Sequence, residues 1–331
     1  MGESVLDGFL NPPVGAMLWR MRKLLTILTD SFLIWSKNIT LIYVFFLGLL
    51  LLSLSVSQPE APSLALRWIL MLAVGLVLFT AIMAGWYNMV ALACIRYLGT
   101  PNKSIYRERA VIDAFTLFQA FLPGVGQFFL PVLGGYLIQW GMTVLLLVPV
   151  YPLLVKNLPL LEKLPTSDFL TLYNTLDHLP IAQVESLNTM ILSLLGALAV
   201  NALFSWLTLL WPAFVIVYDE NPLKACYRSI LQFFRDPLRL LGLSLLLFTI
   251  WLPLFLTSKL LVTLNNMLLG AACELTLLLL FIYAAVSIFV YTIQTLGLPQ
   301  PKSTETPQSG SKPKSGPWTE ENDDRRDGFS D

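Results

Sequence analysis

The chain has 331 residues, of which 56% are hydrophobic and only 13% are charged, with a mean hydropathy of +0.70. Soluble domains carry about 25% charged residues, so this composition excludes an ordinary cytosolic enzyme, a nucleic-acid binder and a disordered chain. Lys+Arg and Asp+Glu both number 21, which leaves a net charge of zero. Partners are therefore expected in the bilayer, not among nucleic acids.

In chain order, residues 1–38 read as a cytoplasmic N-terminal segment ending in an amphipathic helix. MGESVLDGFLNPP carries Glu3 and Asp7 where a secretory signal would be basic, so the first span is expected to act as an uncleaved anchor. Residues 39–298 form the membrane domain. A helix needs about 20 apolar residues to cross the hydrocarbon core, and six stretches meet that requirement: 39–57, 64–93, 127–154, 187–217, 238–262 and 267–296. Residues 299–331 are rich in Pro, Ser, Gly and charge and read as a disordered cytoplasmic tail. The fold class is all-α, a polytopic membrane protein of six transmembrane helices with amphipathic helices on its inner surface.

Basic residues set the expected orientation, because short loops rich in Lys and Arg stay in the cytoplasm. Seventeen of the 21 fall before span one, between spans two and three, between spans four and five, and after span six. The other side receives Arg67, Lys156, Lys163 and Lys259. Both termini are therefore expected inside, with a multi-pass topology in a bacterial cytoplasmic (inner) membrane. The longest outer segment, 155–186, has room for a short helix over 166–176 and contains His178 beside Asp177.

Residues 31–47 and 229–245 align without a gap: Ser31 with Ser229, Trp35 with Phe233, Lys37 with Arg235 and Asn38 with Asp236. A weaker third copy starts at 114–129. The pattern reads as three repeats of a surface helix followed by two spans. In the last copy Asn221 fits an N-cap and Pro222 the first helical position. Lys224, Arg228, Gln232, Arg235 and Arg239 then share one face, while Leu223, Tyr227, Ile230, Leu231 and Phe234 lie opposite. A basic amphipathic helix of this kind lies in the membrane interface and attracts anionic headgroups, which makes Lys224, Arg228, Arg235 and Arg239 the candidate anionic-lipid contacts at the cytoplasmic face. The plainer alternative is a positive anchor that fixes topology.

Within the spans, Glu274 is the one convincing charged residue, with Gln139 mid-span three and Asn201 mid-span four. Intramembrane ionisable groups usually face a protein interior. If the three meet, they line a polar centre for a proton, an ion or a headgroup. Otherwise Glu274 serves packing or lies near the outer interface. Pro131 with Gly134 and Gly135 marks the place in span three where a discontinuous helix could form, with a plain kink as the preferred reading. Ala81/Gly85 and Ser193/Ala197 have the spacing for close helix approach. Cys94, Cys226 and Cys273 lack CxxC spacing, and His178 is the sole histidine. Neither a metal site nor a cofactor is indicated.

The segment WPAFVIVYDENPLKACYRSILQFFRDPLRLLGLSLLL, residues 211–247, resembles a recurring segment of uncharacterised stand-alone bacterial multi-pass membrane proteins. It is also similar to the membrane domain fused to some bacterial glycerophosphodiester phosphodiesterases. The shared features are a Pro near a span end, Asp219-Glu220, Ala225 and Ser229 in an Ala-x-x-x-Ser pattern, and a basic residue before the next span. The resemblance implies a membrane domain alone, since the soluble phosphodiesterase domain is missing. The expected function is therefore a non-enzymatic scaffold or accessory subunit of the envelope, with a membrane-protein partner or a second copy as its neighbour. The alternative is a transporter or permease subunit built around Glu274.

The orientation is directly testable. A cysteine placed at Thr166 is expected to react with a membrane-impermeant reagent from outside the cell, and labelling from the cytoplasmic side would reverse the topology.

Overall fold

A computed structural model describes residues 12–56, 65–100, 114–161, 180–264 and 266–298. The expected helix over 166–176, His178 and the tail from 299 lie outside the described residues. The described chain is helical throughout, and the polypeptide is an all-α polytopic membrane protein. Its helices are α1 (Pro12–Lys37), α2 (Ile39–Val56), α3 (Ala65–Gly99), α4 (Ala114–Gln119), α5 (Phe121–Leu147), α6 (Tyr151–Leu161), α7 (Ile181–Leu207), α8 (Trp211–Tyr218), α9 (Pro222–Arg235), α10 (Pro237–Thr263) and α11 (Met267–Leu296).

Five described stretches are long and apolar enough to span a bilayer: Ala73–Gly99, Phe115–Leu147, Ile181–Tyr218, Pro237–Leu261 and Met267–Leu296. A sixth arises when Met21–Lys37 and Ile39–Leu52 are taken together, bent by 71° at the break between α1 and α2. The expected first span is therefore the second arm of a bent pair. Span three also ends earlier than its apolar run suggests. α5 stops at Leu147, and Val148–Val150 turn the chain into α6, because Pro149 and Pro152 interrupt the helical ladder there.

The helices group into three units, α1–α3, α4–α8 and α9–α11. Each begins with a helix that ends in an elbow and continues with two membrane passes. The elbows share one feature. The N–H groups of Asn38, Ala120 and Asp236 donate to the carbonyls of Ile34, Thr116 and Gln232, each four residues back. The aligned positions of α1 and α9 are also buried alike: Ile27 with Ala225, Ser31 with Ser229, Ile34 with Gln232. In the middle unit the leading helix α4 has only six residues and runs on into α5 within one apolar stretch. The third copy is thus a shortened one.

The units are arranged cyclically. The second passes pack on one another through α3, α8 and α11, and their elbow-end halves make the core: Trp86, Met89, Val90 and Cys94 from α3, Trp211 to Val217 from α8, and Ile282 to Ile293 from α11. Each leading helix docks on the second pass of the preceding unit: α4 on α3, α9 on α8, and α1 on α11. Away from the elbows the passes separate. Val74, Val77, Leu192, Leu195, Leu268 and Leu269 are all exposed. In lipid, apolar exposure carries no penalty, so packing is concentrated where small residues and hydrogen bonds allow it.

Glycines show this directly. A Cβ on Gly85 would stand 2.6 Å from the Phe121 ring and 2.9 Å from its carbonyl oxygen, so Gly85 is what lets α5 meet α3. α5 continues through Pro131, so the helix is not discontinuous there. Gly134 and Gly135 instead admit Pro222 and Trp211, whose atoms a Cβ would approach to 2.8 and 2.3 Å. They are landing sites for α8 and α9, not a hinge. Ser193 and Ala197 remain partly exposed.

Gly85→Ala is expected to lower stability in detergent by about 1–3 kcal/mol through overpacking. Gly75→Ala, with nothing within 4 Å of its Cβ, is expected to be neutral or to stabilise by up to about 1 kcal/mol through helix propensity. Thermal unfolding of the two variants separates close approach from mere conformational freedom.

Candidate functional site

The chemistry concentrates at the junction of α7, α8 and α9. The long apolar stretch Ile181–Tyr218 does not remain one helix: α7 ends at Leu207, Thr208–Leu210 form a turn, and α8 restarts with Pro212 in its first turn. A break of this kind leaves backbone groups without helical partners. Ser229 of α9 supplies them. Its Oγ donates to the Leu207 carbonyl at 2.9 Å and accepts from the Leu210 N–H at 3.0 Å. Thr208 turns its own hydroxyl onto the Phe204 carbonyl at 2.8 Å. Ala225, also fully buried, lets the helix come this close. The Ala-x-x-x-Ser spacing is therefore a docking face, with the hydroxyl as its polar clamp.

The following Asp-Glu-Asn-Pro then divides into separate tasks. Asp219 adopts the left-handed conformation (φ 53°) that ends α8, a conformation short polar side chains tolerate. Its N–H and that of Glu220 return to the Phe214 carbonyl. Asn221 caps α9 by accepting from the Lys224 N–H at 2.8 Å, and Pro222 occupies the first helical position. Glu220 is buried. Its Oε1 takes Arg228 and stands 3.7 Å from the Lys224 ammonium, while Oε2 is buried with no hydrogen-bond partner among the described residues. A buried carboxylate is sustained only by such pairing, so Glu220 and Arg228 tie the start of α9 to its second turn.

α9 consequently has three faces, not two. Ala225, Cys226, Ser229 and Gln232 face inward. Gln232, expected on the basic side, instead donates to the Tyr291 hydroxyl of α11 at 3.4 Å. Burial pushes the Cys226 thiol up to about 11, which keeps it protonated and inert near neutral pH. Leu223, Tyr227 and Phe234 stand 72, 62 and 68% exposed. Lys224, Arg228 and Arg235 form the third face, all exposed. Arg239 is different: it lies beyond the elbow on α10, only 14% exposed, and pairs with Asp236 at 3.0 Å. Of the four candidate headgroup contacts, three share one helix face and the fourth braces the elbow.

The other candidate constellation separates into two contacts. The Thr143 hydroxyl lies 3.0 Å from both the Gln139 backbone carbonyl and Asn201 Oδ1, with one proton to share between them, and so joins α5 to α7. Glu274 lies on α11 with its partners on α10: Lys259 at 3.2 Å and Ser258 at 3.4 Å. Lys259 and Glu274 are 58 and 52% exposed and flank the short connection between α10 and α11. Glu274 is thus half of a hairpin ion pair and shares no hydrogen bond with Gln139 or Asn201.

Sequence reasoning missed Asp30. This carboxylate is buried, accepting from the Tyr97 hydroxyl of α3 at 2.9 Å and from Gln294 Nε2 of α11 at 2.8 Å. The available signal was a lone acid in LLTILTDSFLIW, at the register position equivalent to Arg228. Nearby, the Tyr283 hydroxyl donates to the Leu28 carbonyl at 3.1 Å, and Trp35 meets the Tyr283 ring edge-on.

No family model, curated relative or solved structure matches this chain.

Ser229→Ala leaves the Leu207 carbonyl and the Leu210 N–H buried and unpaired. It is expected to cost about 1–3 kcal/mol, read as a lower unfolding midpoint in detergent, whereas an unchanged midpoint would show that the turn needs no clamp.

Proposed function

We propose that this chain is a non-enzymatic integral protein of a bacterial cytoplasmic membrane, with both termini in the cytoplasm, acting as a scaffold or accessory subunit that organises anionic lipid at the inner face. The observation that carries this reading is the three-faced geometry of α9. Its inner face is fixed to the bundle by Ser229, Gln232 and Ala225. Its apolar row is left to the hydrocarbon, and Lys224, Arg228 and Arg235 stand exposed toward the headgroups, Arg228 while also pairing with Glu220. A helix held this way presents cations at a fixed depth without ordering cost on binding, which favours a standing lipid contact over a transient one.

The 17-to-4 distribution of basic residues supports the orientation. The resemblance of residues 211–247 to bacterial multi-pass membrane proteins supports the compartment. α10, α7 and the first half of α11 expose apolar rows along their lengths, offering surface to a neighbouring membrane protein. Arg239, largely buried as well as paired with Asp236, is outside the headgroup set.

Each basic residue near a charged surface contributes about 1 kcal/mol. In vesicles of mixed zwitterionic and anionic phospholipid, Lys224→Gln with Arg235→Gln is therefore expected to lower the preference of the protein for a spin-labelled anionic lipid several-fold, while single substitutions lower it less. An unchanged preference would refute the proposed role of this face.

A further inference from the structure

We infer that a groove between α1, α10 and α11 holds one acyl chain of a membrane phospholipid. The groove encloses about 270 Å³ and is lined by Phe32 and Trp35 of α1, Ile250 and Leu254 of α10, and Leu279 and Leu280 of α11. Thr276 and Tyr283 mark its two ends along α11. Both hydroxyls are already committed, Thr276 to the Ala272 carbonyl and Tyr283 to the Leu28 carbonyl. The wall therefore offers an occupant only apolar contact.

Three observations select the occupant. The first is size. At about 270 Å³ the groove is too small to take in the backbone of another helix, which is about 10 Å across with its side chains. A single hydrocarbon chain fits. The second is placement. Thr276 and Tyr283 are seven residues apart, about 10 Å along the helix, and Ile250 and Leu254 lie in the middle of α10. The groove thus runs along the apolar interior of the spans. Phe32 and Ile250 are 54 and 45% exposed, so it opens on the surface that faces lipid.

The third observation is the chemistry of the wall. Trp35 and Tyr283 stand edge to face at 6.2 Å, with the Trp35 Nε1 buried and the Tyr283 hydroxyl bonded to the Leu28 carbonyl. Neither ring turns a polar group to the groove, so the occupant is the tail of a lipid and not its head. Because lipid tails and protein side chains are equally apolar, retention rests on van der Waals fit to this shape and not on hydrophobic expulsion.

The test uses the full chain in phospholipid vesicles doped with a phospholipid bearing a photoactivatable acyl chain, with labelled residues mapped by mass spectrometry. Leu254, Leu279 and Leu280 are half-buried, whereas Leu245 and Leu256 are 64 and 57% exposed and lie outside the groove. The expected result is several-fold more label on the three groove residues than on the two exposed ones, with the excess abolished by Leu280→Trp, which fills the groove. Labelling that simply follows exposure would overturn the inference, as would an excess that survives both Leu280→Trp and Leu254→Trp. The wild-type map is decisive by itself if either variant fails to fold. Cross-links between two copies through these residues would also overturn it.

Discussion

A helix that stops inside an apolar medium leaves backbone N–H and C=O groups that no solvent can satisfy, and this molecule stops helices repeatedly. Its architecture follows from how those groups are answered. Between α7 and α8, Ser229 takes both an orphan carbonyl and an orphan N–H. At the elbow before α5, Asn88 donates to the Ala120 carbonyl at 2.8 Å. At the start of α2, Trp86 donates to the Leu41 carbonyl at 2.9 Å. The Ala120 carbonyl also takes the Gly124 N–H and Leu41 lies within α2, so Asn88 and Trp86 add a second bond to a helical carbonyl, whereas Ser229 completes a ladder that the chain interrupts. At the α7–α8 break, secondary structure and tertiary packing are therefore inseparable: the turn is stabilised by the partner that α9 brings to it.

The cyclic order of the three units is the consequence. A leading helix docks where polar groups pair across the junction with the preceding unit. Asn88 of α3 serves the α4–α5 elbow, Gln294 and Tyr283 of α11 serve α1, and Ser229 of α9 serves the break before α8. Small residues make the approach possible at the same places, Gly85 beneath Phe121 and Gly135 beneath Trp211. Opposite the elbows no such clamps are required, because hairpins such as α10–α11 complete their own hydrogen bonds. The helices there separate and leave apolar rows to lipid. The same division yields the fixed, three-faced α9 at one level and the lipid-sized groove beside α1.

Much of this was legible in the sequence because the relevant signals are local. Apolar runs located the passes, Asn221-Pro222 located the start of α9, and the gapless match of 31–47 to 229–245 located two of the elbows. What was not legible depends on residues distant in the chain. Asp30 reaches Gln294 across the closure of the cycle, and Gln232 left the basic stripe because Tyr291 happens to face it. Helical periodicity assigns such a residue to a surface without knowing that a second surface is also covered. The prolines act differently in different settings. Pro131 removes one helical hydrogen bond, which α5 tolerates, whereas Pro212 has no N–H for the Thr208 carbonyl and the chain breaks there, in a turn that Ser229 stabilises.

The central claim is that the leading helices are fixed parts of the bundle and not ribbons resting on its surface. Amide hydrogen exchange of the full chain in lipid nanodiscs tests it most directly. The account predicts that amides on the inward face of α9, Ser229 and Gln232 among them, exchange as slowly as those of α8 and open together with it, while those of α1 open with α11. Free exchange along α9 and α1, with α8 and α11 still protected, would contradict it.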